Sequence, residues 1–298
     1  MATVAGELTE VAAPRRRDWS VQFLLAQPLG AAGFLVILAM AFAALFAERV
    51  APYDPVVVDF AAILGAPDRA HWFGTDAFGR DILTRVIYGA RTALAIGFLS
   101  SAFGCTLGAA IGVASAYFGG RVDLVVQRFV DILLSFPIIV LALVVVAMLG
   151  RYIVIGIDLN LVLAIAVPIV PKVARVVRSA ALAVREMPYI DAARAAGYGH
   201  MRIIFRHMAP NVAAPYLIMF TAFIAQAILL EASLSFLGLG VAEPLPSWGL
   251  MLSGNASDFY REAPWMILFP GLAISLAVFA FNLFGDSLRD WLDPKFKA

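Results

Sequence analysis

The chain has 298 residues, of which 62% are hydrophobic and 14% charged, and its mean hydropathy is +0.88. A soluble globular domain carries about 25% charged residues, so this composition excludes an ordinary soluble protein and predicts one that lies in a bilayer. The formal net charge of +1 excludes the concentrated basic surface of a nucleic-acid-binding protein, so nucleic acid is not an expected partner.

Six stretches of the sequence are long and apolar enough to cross a bilayer core of roughly 30 Å, which takes about 20 helical residues. They cover residues 29–47, 92–117, 129–149, 160–177, 212–234 and 265–285. Pro168 and Pro171 interrupt the fourth stretch. A spanning helix tolerates proline where neighbouring protein satisfies the freed backbone groups, so we expect a kinked helix that faces other helices. The sequence therefore predicts an all-α integral membrane protein with six transmembrane helices, surrounded by membrane lipid.

The N-terminal residues 1–28 form a polar tail, with a basic triplet from Arg15 to Arg17 ahead of the first apolar stretch. Together with Ala41-Phe42-Ala43, which resembles a cleavage site, this arrangement leaves a secretory signal peptide as an alternative. The apolar run is longer than a usual signal-peptide core, which favours a retained transmembrane anchor over residues 29–50.

Residues 51–91 follow as a loop on the outer side of the membrane, and the last part of this loop has the pattern of an amphipathic helix. One face carries the apolar residues Ile82, Leu83, Val86, Ile87 and Ala90, and the other carries the polar residues Asp81, Thr84, Arg85 and Arg91. The pattern suits a helix that lies on the outer membrane surface, or equally a helix packed on protein.

Small residues recur every fourth position in the second apolar stretch, at Ser100, Gly104, Gly108 and Gly112. Such a face permits close contact between helices in lipid. We therefore expect this helix to pack tightly inside a bundle.

Charged and polar residues in or beside the apolar stretches are the candidate functional residues, because they are costly in a bilayer. Asp123, Arg128 and Asp131 lie at the inner end of the third stretch, where an ion pair between Arg128 and a carboxylate is a sufficient explanation. Glu231 lies near the outer end of the fifth stretch and is either a residue of the external mouth of a pathway or a hydrogen-bonded anchor for the adjoining loop. Gln226 is a further candidate pathway or gate residue, one of the few polar residues at mid-span.

The distribution of basic residues fixes the expected orientation, because cytoplasmic loops of membrane proteins are enriched in Lys and Arg. A cytoplasmic N-terminus places most of the 22 basic residues inside, including the cluster from Lys172 to Arg206. Both termini are then cytoplasmic, and the core of residues 92–298 carries a polar insert, residues 186–211, on the cytoplasmic side.

This insert has the pattern of a helix-turn-helix. Pro188 suits the start of a first helix, Gly197 can supply its left-handed stop, and a second short helix runs from Met201 to Met208 before Pro210 breaks it. The first helix presents Ala192, Ala193, Ala195 and Ala196, small side chains that let a groove of another protein approach the backbone closely. The alternative is a connecting loop with solvated charges.

The insert also carries a resemblance to a known motif. Asp191-Ala192-Ala193, three residues, Gly197, nine residues and then His207-Met208-Ala209-Pro210 resembles the EAA loop of binding-protein-dependent ABC importer permeases. Asp191 replaces the usual Glu and keeps the charge on a shorter side chain, and Ala209 replaces the usual Leu.

Further stretches extend the resemblance over nearly the whole chain and indicate the dipeptide, oligopeptide and nickel branch, and within it the second of two permease subunits. They are HWFGTDAFGRDILTRVIYGART (71–92), AYFGGRVDLVVQRFVDILLSFP (116–137), EASLSFLGLGVAEPLPSWGLML (231–252) and PWMILFPGLAISLAVFAFNLFGDSLRDWLDP (264–294). Their order along the chain is the order expected for that subunit.

The resemblance implies a type I ABC importer permease fold in a bacterial inner membrane. It implies that the EAA loop couples to an ATP-hydrolysing subunit through Asp191, Ala192, Ala193, Arg194, Gly197 and Pro210. The implied partners are a homologous second permease, two ATP-binding subunits and an extracytoplasmic solute-binding protein. ATP would be bound by the partner subunits, so the chain itself needs no cofactor, and the solute is not readable because the binding protein largely sets it.

Catalytic motifs do not accompany these features in the sequence. A phosphate-binding P-loop needs Gly-Lys-Ser/Thr, and the lysines Lys172, Lys295 and Lys297 follow Pro, Pro and Phe. The histidines His71, His200 and His207 fit no metal-ligand spacing. We therefore expect a non-catalytic permease subunit. The alternative is a stand-alone secondary transporter or channel, which often rests on internal repeats that this sequence does not clearly show.

Overall fold

The computed structural model describes residues 27–154 and 156–292. The polar tail up to residue 26, with its basic triplet, and the residues from 293 onward, with Lys295 and Lys297, lie outside the described residues. Within these ranges the chain is a bundle of helices with one short β-hairpin.

The helices in chain order are α1 (Pro28–Leu45), α2 (Ala47–Val50), α3 (Ile82–Phe118), α4 (Gly120–Leu134), α5 (Ile138–Leu149), α6 (Leu159–Ala166), α7 (Ile169–Arg185), α8 (Pro188–Ala195), α9 (His200–Ile203), α10 (Ala213–Phe236), α11 (Trp248–Met251), α12 (Asn255–Asp258) and α13 (Trp265–Leu292). A π-helical turn (Ile204–Met208) and a 3₁₀ turn (Ala209–Val212) join α9 to α10, and another 3₁₀ turn covers Phe60–Ala62. Strands β1 (Ile153–Val154) and β2 (Ile157–Asp158) pair antiparallel, with Ile153 opposite Asp158.

Four helical segments of the described chain are individually long and apolar enough to cross a membrane: α1, α3, the run from His200 to Phe236, and α13. Two bent pairs complete the set, α4 with α5 at 93° and α6 with α7 at 45°. The count is therefore six if each bent pair is one span, which agrees with the six predicted spans. The bend between α6 and α7 lies at Pro168 and confirms the kink expected there.

The third predicted span is not one straight helix. Its first part belongs to α4, and the chain leaves the helix at Ser135-Phe136 before α5 begins after Pro137. A proline disfavours the helical conformation of the residue before it, so Phe136 cannot continue α4 into α5. The predicted span over residues 129–149 therefore contains a break that the sequence analysis did not predict.

Helix α1 is an integral part of the bundle, because it packs on α13 with little space between the two backbones. A Cβ placed on Gly33 would lie 2.7 Å from the carbonyl oxygen of Ala280. The rings of Phe34 and Phe284 stack at 5.4 Å between centroids. The interpretation of residues 29–50 as a retained anchor stays a prediction.

The most extensive contact between two helices of the described chain is between α3 and α7, and it runs along the predicted face of small residues. A Cβ on Gly104, Gly108 or Gly112 would lie 2.9, 2.6 or 2.5 Å from a backbone carbonyl oxygen of the facing segment, respectively that of Ala166, Val170 and Ala174. Ser100 is also fully buried. The expected close helix contact is confirmed, and its cause is the absence of side chains at the three glycines.

The helix predicted in the outer loop is not a separate element. Residues 82–91 are the first turns of α3, which continues without a break for 37 residues. Asp81 caps this helix by accepting a hydrogen bond from the backbone N–H of Thr84 at 2.8 Å. Thr84 and Arg85 are buried, so the polar side packs on protein, and the interpretation as a helix lying on the membrane surface is wrong.

We expect Gly108→Ala to destabilise the protein by about 1–3 kcal/mol, because the new Cβ overlaps backbone that cannot move away easily. The matched control is Gly271→Ala on α13, since a Cβ there would have no neighbour within 4 Å. Thermal unfolding of the two variants in the same detergent measures the difference. Equal melting temperatures would contradict the backbone contact described above.

Candidate functional site

Helix α8 lies in the predicted insert, and its two ends are defined by local sequence as expected. Pro188 occupies the first turn, where a missing N–H costs nothing. At the other end Gly197 has φ of 77°. The N–H of Tyr198 donates to the carbonyl of Ala193 at 3.1 Å, and that of Gly197 donates to Arg194 at 2.9 Å. This pair of bonds is a Schellman motif and confirms the predicted left-handed stop.

The two faces of α8 differ sharply in burial. Ile190 and Ala193 are 0% and 6% exposed and join the apolar core of the chain itself. Ala192 is exposed, as are Ala195 and Ala196. The expectation that all four alanines face outward is therefore wrong for Ala193, whose side chain fixes α8 to the bundle.

The exposed face of α8 also carries a charged pair. The Asp191 carboxylate accepts a hydrogen bond from the Arg194 guanidinium at 3.0 Å, one helical turn away. Both side chains are substantially exposed. The face available to a partner thus consists of small side chains with one acidic and one basic group at its edge.

Contacts with the end of α3 hold the insert in place. The Tyr117 hydroxyl and Nδ1 of His200 are hydrogen-bonded at 2.7 Å, and the Arg194 guanidinium lies 5.8 Å from the centre of the Tyr117 ring. The Arg185 guanidinium, at the end of α7, donates to the carbonyl of Ala116 at 2.9 Å. The ends of α3 and α7 therefore both lie at the base of α8.

The sequence predicted that Pro210 ends a short helix, and this prediction is wrong. The backbone widens into the π-helical turn before the proline and tightens into the 3₁₀ turn around it, so the helical run continues into α10. The Asn211 side-chain amide donates to the carbonyl of His207 at 2.7 Å. The altered turns accommodate a ring that would otherwise clash with the preceding turn.

The two carboxylates of α4 bind arginines of α7. Asp123 accepts from Arg178, with Nε at 2.6 Å, and also from the Ser115 hydroxyl. Asp131 pairs with Arg175. The predicted pairing with Arg128 is therefore wrong, because only the tertiary structure places the α7 arginines beside these carboxylates.

Glu231 lies at the outer end of α10 and is 1% exposed. Its Oε1 accepts hydrogen bonds from the hydroxyls of Ser235 at 2.7 Å and Ser247 at 2.8 Å. Ser247 caps α11, so Glu231 ties the following loop to α10. Of the two interpretations, this geometry supports the loop anchor. Gln226 is half-buried one turn and a half earlier on α10, and its role as a gate stays a prediction.

A second cluster of charges, at the end of the bundle away from α8, was missed by the sequence analysis. Arg80 donates to Asp76, with Nε at 2.6 Å, and to Glu243 at 2.8 Å. Arg85 donates to the carbonyl of Pro55 at 2.9 Å. Together they join the first outer loop to the loop after α10 and line a cavity of about 250 Å³. The spacing of Asp76 and Arg80, four residues apart, was the signal available in the sequence.

The Arg80 guanidinium keeps its charge beside Glu243 and Asp76 at any ordinary pH. Burial alone would lower the pKa of Arg80, but its hydrogen bonds and ion pairs with Glu243 and Asp76 outweigh burial and raise the pKa. Trp248 adds a hydrogen bond to this connection, because its Nε1 donates to the carbonyl of Val86 at 2.9 Å beside Gly89. The outer loops therefore form one connected surface.

Residues 104–298 match the family of binding-protein-dependent transport system inner membrane components. The chain belongs to this family. It is thus a multi-pass permease of the inner membrane, and the family match covers α8, both bent pairs and the last two long helices.

Named relatives are similar over almost the full chain. The dipeptide transport system permease protein DppC of Alkalihalophilus pseudofirmus is 42% identical over 270 residues, covering 91% of this permease and 87% of the relative. The glutathione transport system permease protein GsiD of Pectobacterium atrosepticum is 40% identical and covers 97% of this permease and 93% of the relative. A putative peptide transport system permease protein of Brucella suis is 42% identical, with 89% and 88% covered.

A solved structure supports the fold independently. An inward-facing conformation of the MetNI methionine ABC transporter aligns with a TM-score of 0.55 at 19% identity, over 71% of this permease and 98% of that chain. At this identity the similarity concerns the fold alone. It agrees with the type I importer permease fold expected from the sequence.

We expect Glu231→Ala to destabilise the outer loop by about 1–3 kcal/mol, because two buried serine hydroxyls lose their acceptor. Glu231→Gln keeps an acceptor oxygen at Oε1, so we expect uptake and stability close to those of the unaltered protein. Limited proteolysis between residues 237 and 264, together with solute uptake, compares the two variants. Loss of uptake in a stably folded Gln variant would instead favour a charged gate residue.

Proposed function

We propose that the chain is the transmembrane permease subunit of an ATP-driven importer for peptides or related small solutes. It forms the translocation pathway with a homologous second permease, and α8 couples that pathway to the ATPase subunits. An extracytoplasmic solute-binding protein delivers the solute, and ATP is bound and hydrolysed by the partner subunits. The chain itself is non-catalytic.

The observation that carries this proposal is the two-sided character of α8. One face is anchored by Ile190 and Ala193 in the core of the bundle, and the other presents Ala192, Ala195 and Ala196 with the ion pair of Asp191 and Arg194. A connecting loop with solvated charges needs neither a buried base nor a bare alanine face. A short helix held rigidly and exposed on one side is suited to fit a groove of another protein.

The solute class is supported by the relatives. Those similar over most of the chain are named for dipeptide, glutathione and peptide transport. We propose a solute of this class, which shares a peptide backbone and charged termini, and not one particular member of it.

A physical route connects α8 to the spans. The insert follows α7 directly in the chain, contacts the end of α3 through the hydrogen bond between Tyr117 and His200 of α9, and leads through the π-helical turn into α10. Because α3 and α7 approach backbone to backbone, they can move only together. We propose that closure of the ATPase pair on ATP binding pushes α8 and rocks these helices between inward-open and outward-open states.

The orientation follows from the same site. Residues on the α8 side include the basic residues of α7, α8 and the π-helical turn, and cytoplasmic segments are enriched in such residues. We propose that α8 and both termini lie in the cytoplasm, so that the joined outer loops around Arg80 and Glu243 face the solute-binding protein.

We expect Gly197→Val to impair uptake while leaving the protein in the membrane. A Cβ at this position would meet no atom within 4 Å, but φ of 77° costs a β-branched residue about 1–2 kcal/mol or more. Gly197→Asn is the matched control, since Asn adopts the left-handed conformation more readily. Uptake and ATP hydrolysis are measured in the assembled transporter, and unchanged uptake in the Val variant would contradict the proposed coupling.

We expect a photoactivatable crosslinker at Ala192→Cys, in a Cys105→Ala background, to capture an ATP-hydrolysing subunit in intact cells. Ala193→Cys is the control, because this neighbour is buried in the chain itself. The capture at position 192 should also change in yield when ATP is depleted. Equal capture at the two positions, or capture of no ATPase at either, would contradict the proposal.

A further experiment separates this function from the stand-alone alternative. The chain is purified with its partners, and solute uptake is measured in vesicles with and without the ATPase subunits. Uptake that needs the ATPase subunits supports the importer. Uptake by the chain alone would indicate a secondary transporter or channel.

A further inference from the structure

The polar and apolar residues of α4 are segregated, and its apolar side is uncovered. Val122, Val125, Phe129 and Ile132 recur at intervals of three, four and three residues, which places them in one stripe along the helix. Their exposed fractions lie between 51% and 66%. A soluble surface rarely carries such a stripe, which therefore needs a partner that tolerates apolar groups.

The ion pairs of α4 show how this helix lies relative to the bundle. Asp123 and Asp131 are eight residues apart, about 12 Å along α4, whereas their partners Arg178 and Arg175 are three residues apart, about 4.5 Å along α7. Both pairs therefore meet α7 at nearly one level, so α4 crosses α7 steeply. The angle of 93° between α4 and α5 agrees with this.

The level at which α4 crosses is the α8 end of the bundle. Ser115, in the last turn of α3, bonds Asp123, and Tyr117 of the same turn bonds His200 in the insert. A helix that runs across the bundle at this end lies near the plane of the membrane boundary. It does not add length to the span that follows it.

The length of α5 leaves room for α4 at that boundary. Its 12 residues cover about 18 Å of a hydrocarbon core of roughly 30 Å. An interfacial helix buries its apolar face about 5–10 Å into the boundary between headgroups and acyl chains. The stripe on α4 therefore occupies much of the thickness of the hydrocarbon core that α5 does not cover.

Two arginines lie beside the stripe. Arg121 and Arg128 are seven residues apart, both exposed, and each precedes a stripe residue, Val122 or Phe129. Within the described ranges neither forms an ion pair with a carboxylate, because Asp123 and Asp131 are bound to α7. An apolar stripe edged by unpaired arginines is complementary to a membrane surface of negatively charged phosphates.

We propose that α4 is an interfacial helix that binds the anionic inner leaflet of the membrane. Val122, Val125, Phe129 and Ile132 enter the upper acyl region, and Arg121 and Arg128 bind lipid phosphate groups. The surface is thus a lipid-binding site beside the coupling helix, and the ion pairs to Arg175 and Arg178 connect it to α7.

The first experiment locates the stripe in the assembled transporter. Nitroxide labels are placed at Val125→Cys and Phe129→Cys, in a Cys105→Ala background, and the complex is reconstituted in vesicles of phosphatidylethanolamine and phosphatidylglycerol. Phe279→Cys on α13, 61% exposed, is the reference for a span that faces lipid. We expect the α4 labels to be more accessible to oxygen than to a water-soluble nickel chelate, and shallower than the reference.

Two other results would overturn the proposal. Labels shielded from both oxygen and the nickel chelate would show that the second permease or another protein covers the stripe. Labels more accessible to the nickel chelate than to oxygen would place α4 in water. Neither result touches the assignment of α8, so the two proposals fail separately.

The second experiment tests the arginines. Arg121→Gln with Arg128→Gln is compared with Arg69→Gln, an exposed arginine of the outer loop, in vesicles with and without phosphatidylglycerol. In the protein with both arginines, and in the Arg69 variant, we expect phosphatidylglycerol to move the Phe129 label deeper into the membrane. This shift should be lost when Arg121 and Arg128 are replaced. A shift that persists in the double variant would overturn the role given to the arginines.

Discussion

The approach of α3 to α7 is the constraint on which the rest of the structure depends. Gly104, Gly108 and Gly112 leave the α3 backbone bare, so the carbonyl groups of α7 and of the last residue of α6 come within contact distance of them. In a bilayer, where lipid is as apolar as a side chain, association of helices rests on such close packing. The contact makes the two helices one rigid body. The end of this body nearest α8 positions α4, α8 and the ion pairs of Arg175 and Arg178.

The position of α8 is a consequence of that rigid body. Its base is fixed by Ile190 and Ala193 within the core and by the hydrogen bond between Tyr117 and His200. In the proposed function, a force applied to its exposed alanine face reaches the α3 and α7 pair without being absorbed by a flexible loop. The same pair carries Arg175 and Arg178, so α4 is attached to this pair as well.

The outer side is organised by charge and not by bare backbone. Arg80 and Arg85 join two loops that are about 160 positions apart in the chain, and Glu231 fixes the second loop at Ser247 from within α10. Ion pairs and hydrogen bonds hold the outer loops together, although water competes for the same polar groups. Close packing holds the spans together in the bilayer, where water does not compete. The surface of the joined outer loops at one end of the bundle and α8 at the other end are thus connected through spans that pack closely.

Much of this architecture is local and was determined by the sequence alone. Hydropathy placed all six apolar stretches, the spacing of small residues located the face of α3, and Gly197 predicted a positive φ because few other residues adopt one at low cost. The tertiary structure alone decided what depends on neighbours: that Asp123 binds Arg178 and not Arg128, that Ala193 and Arg85 are buried, and that α4 turns away from α5. Periodicity tells which side of a helix is apolar, but burial and pairing depend on which distant segment lies against it.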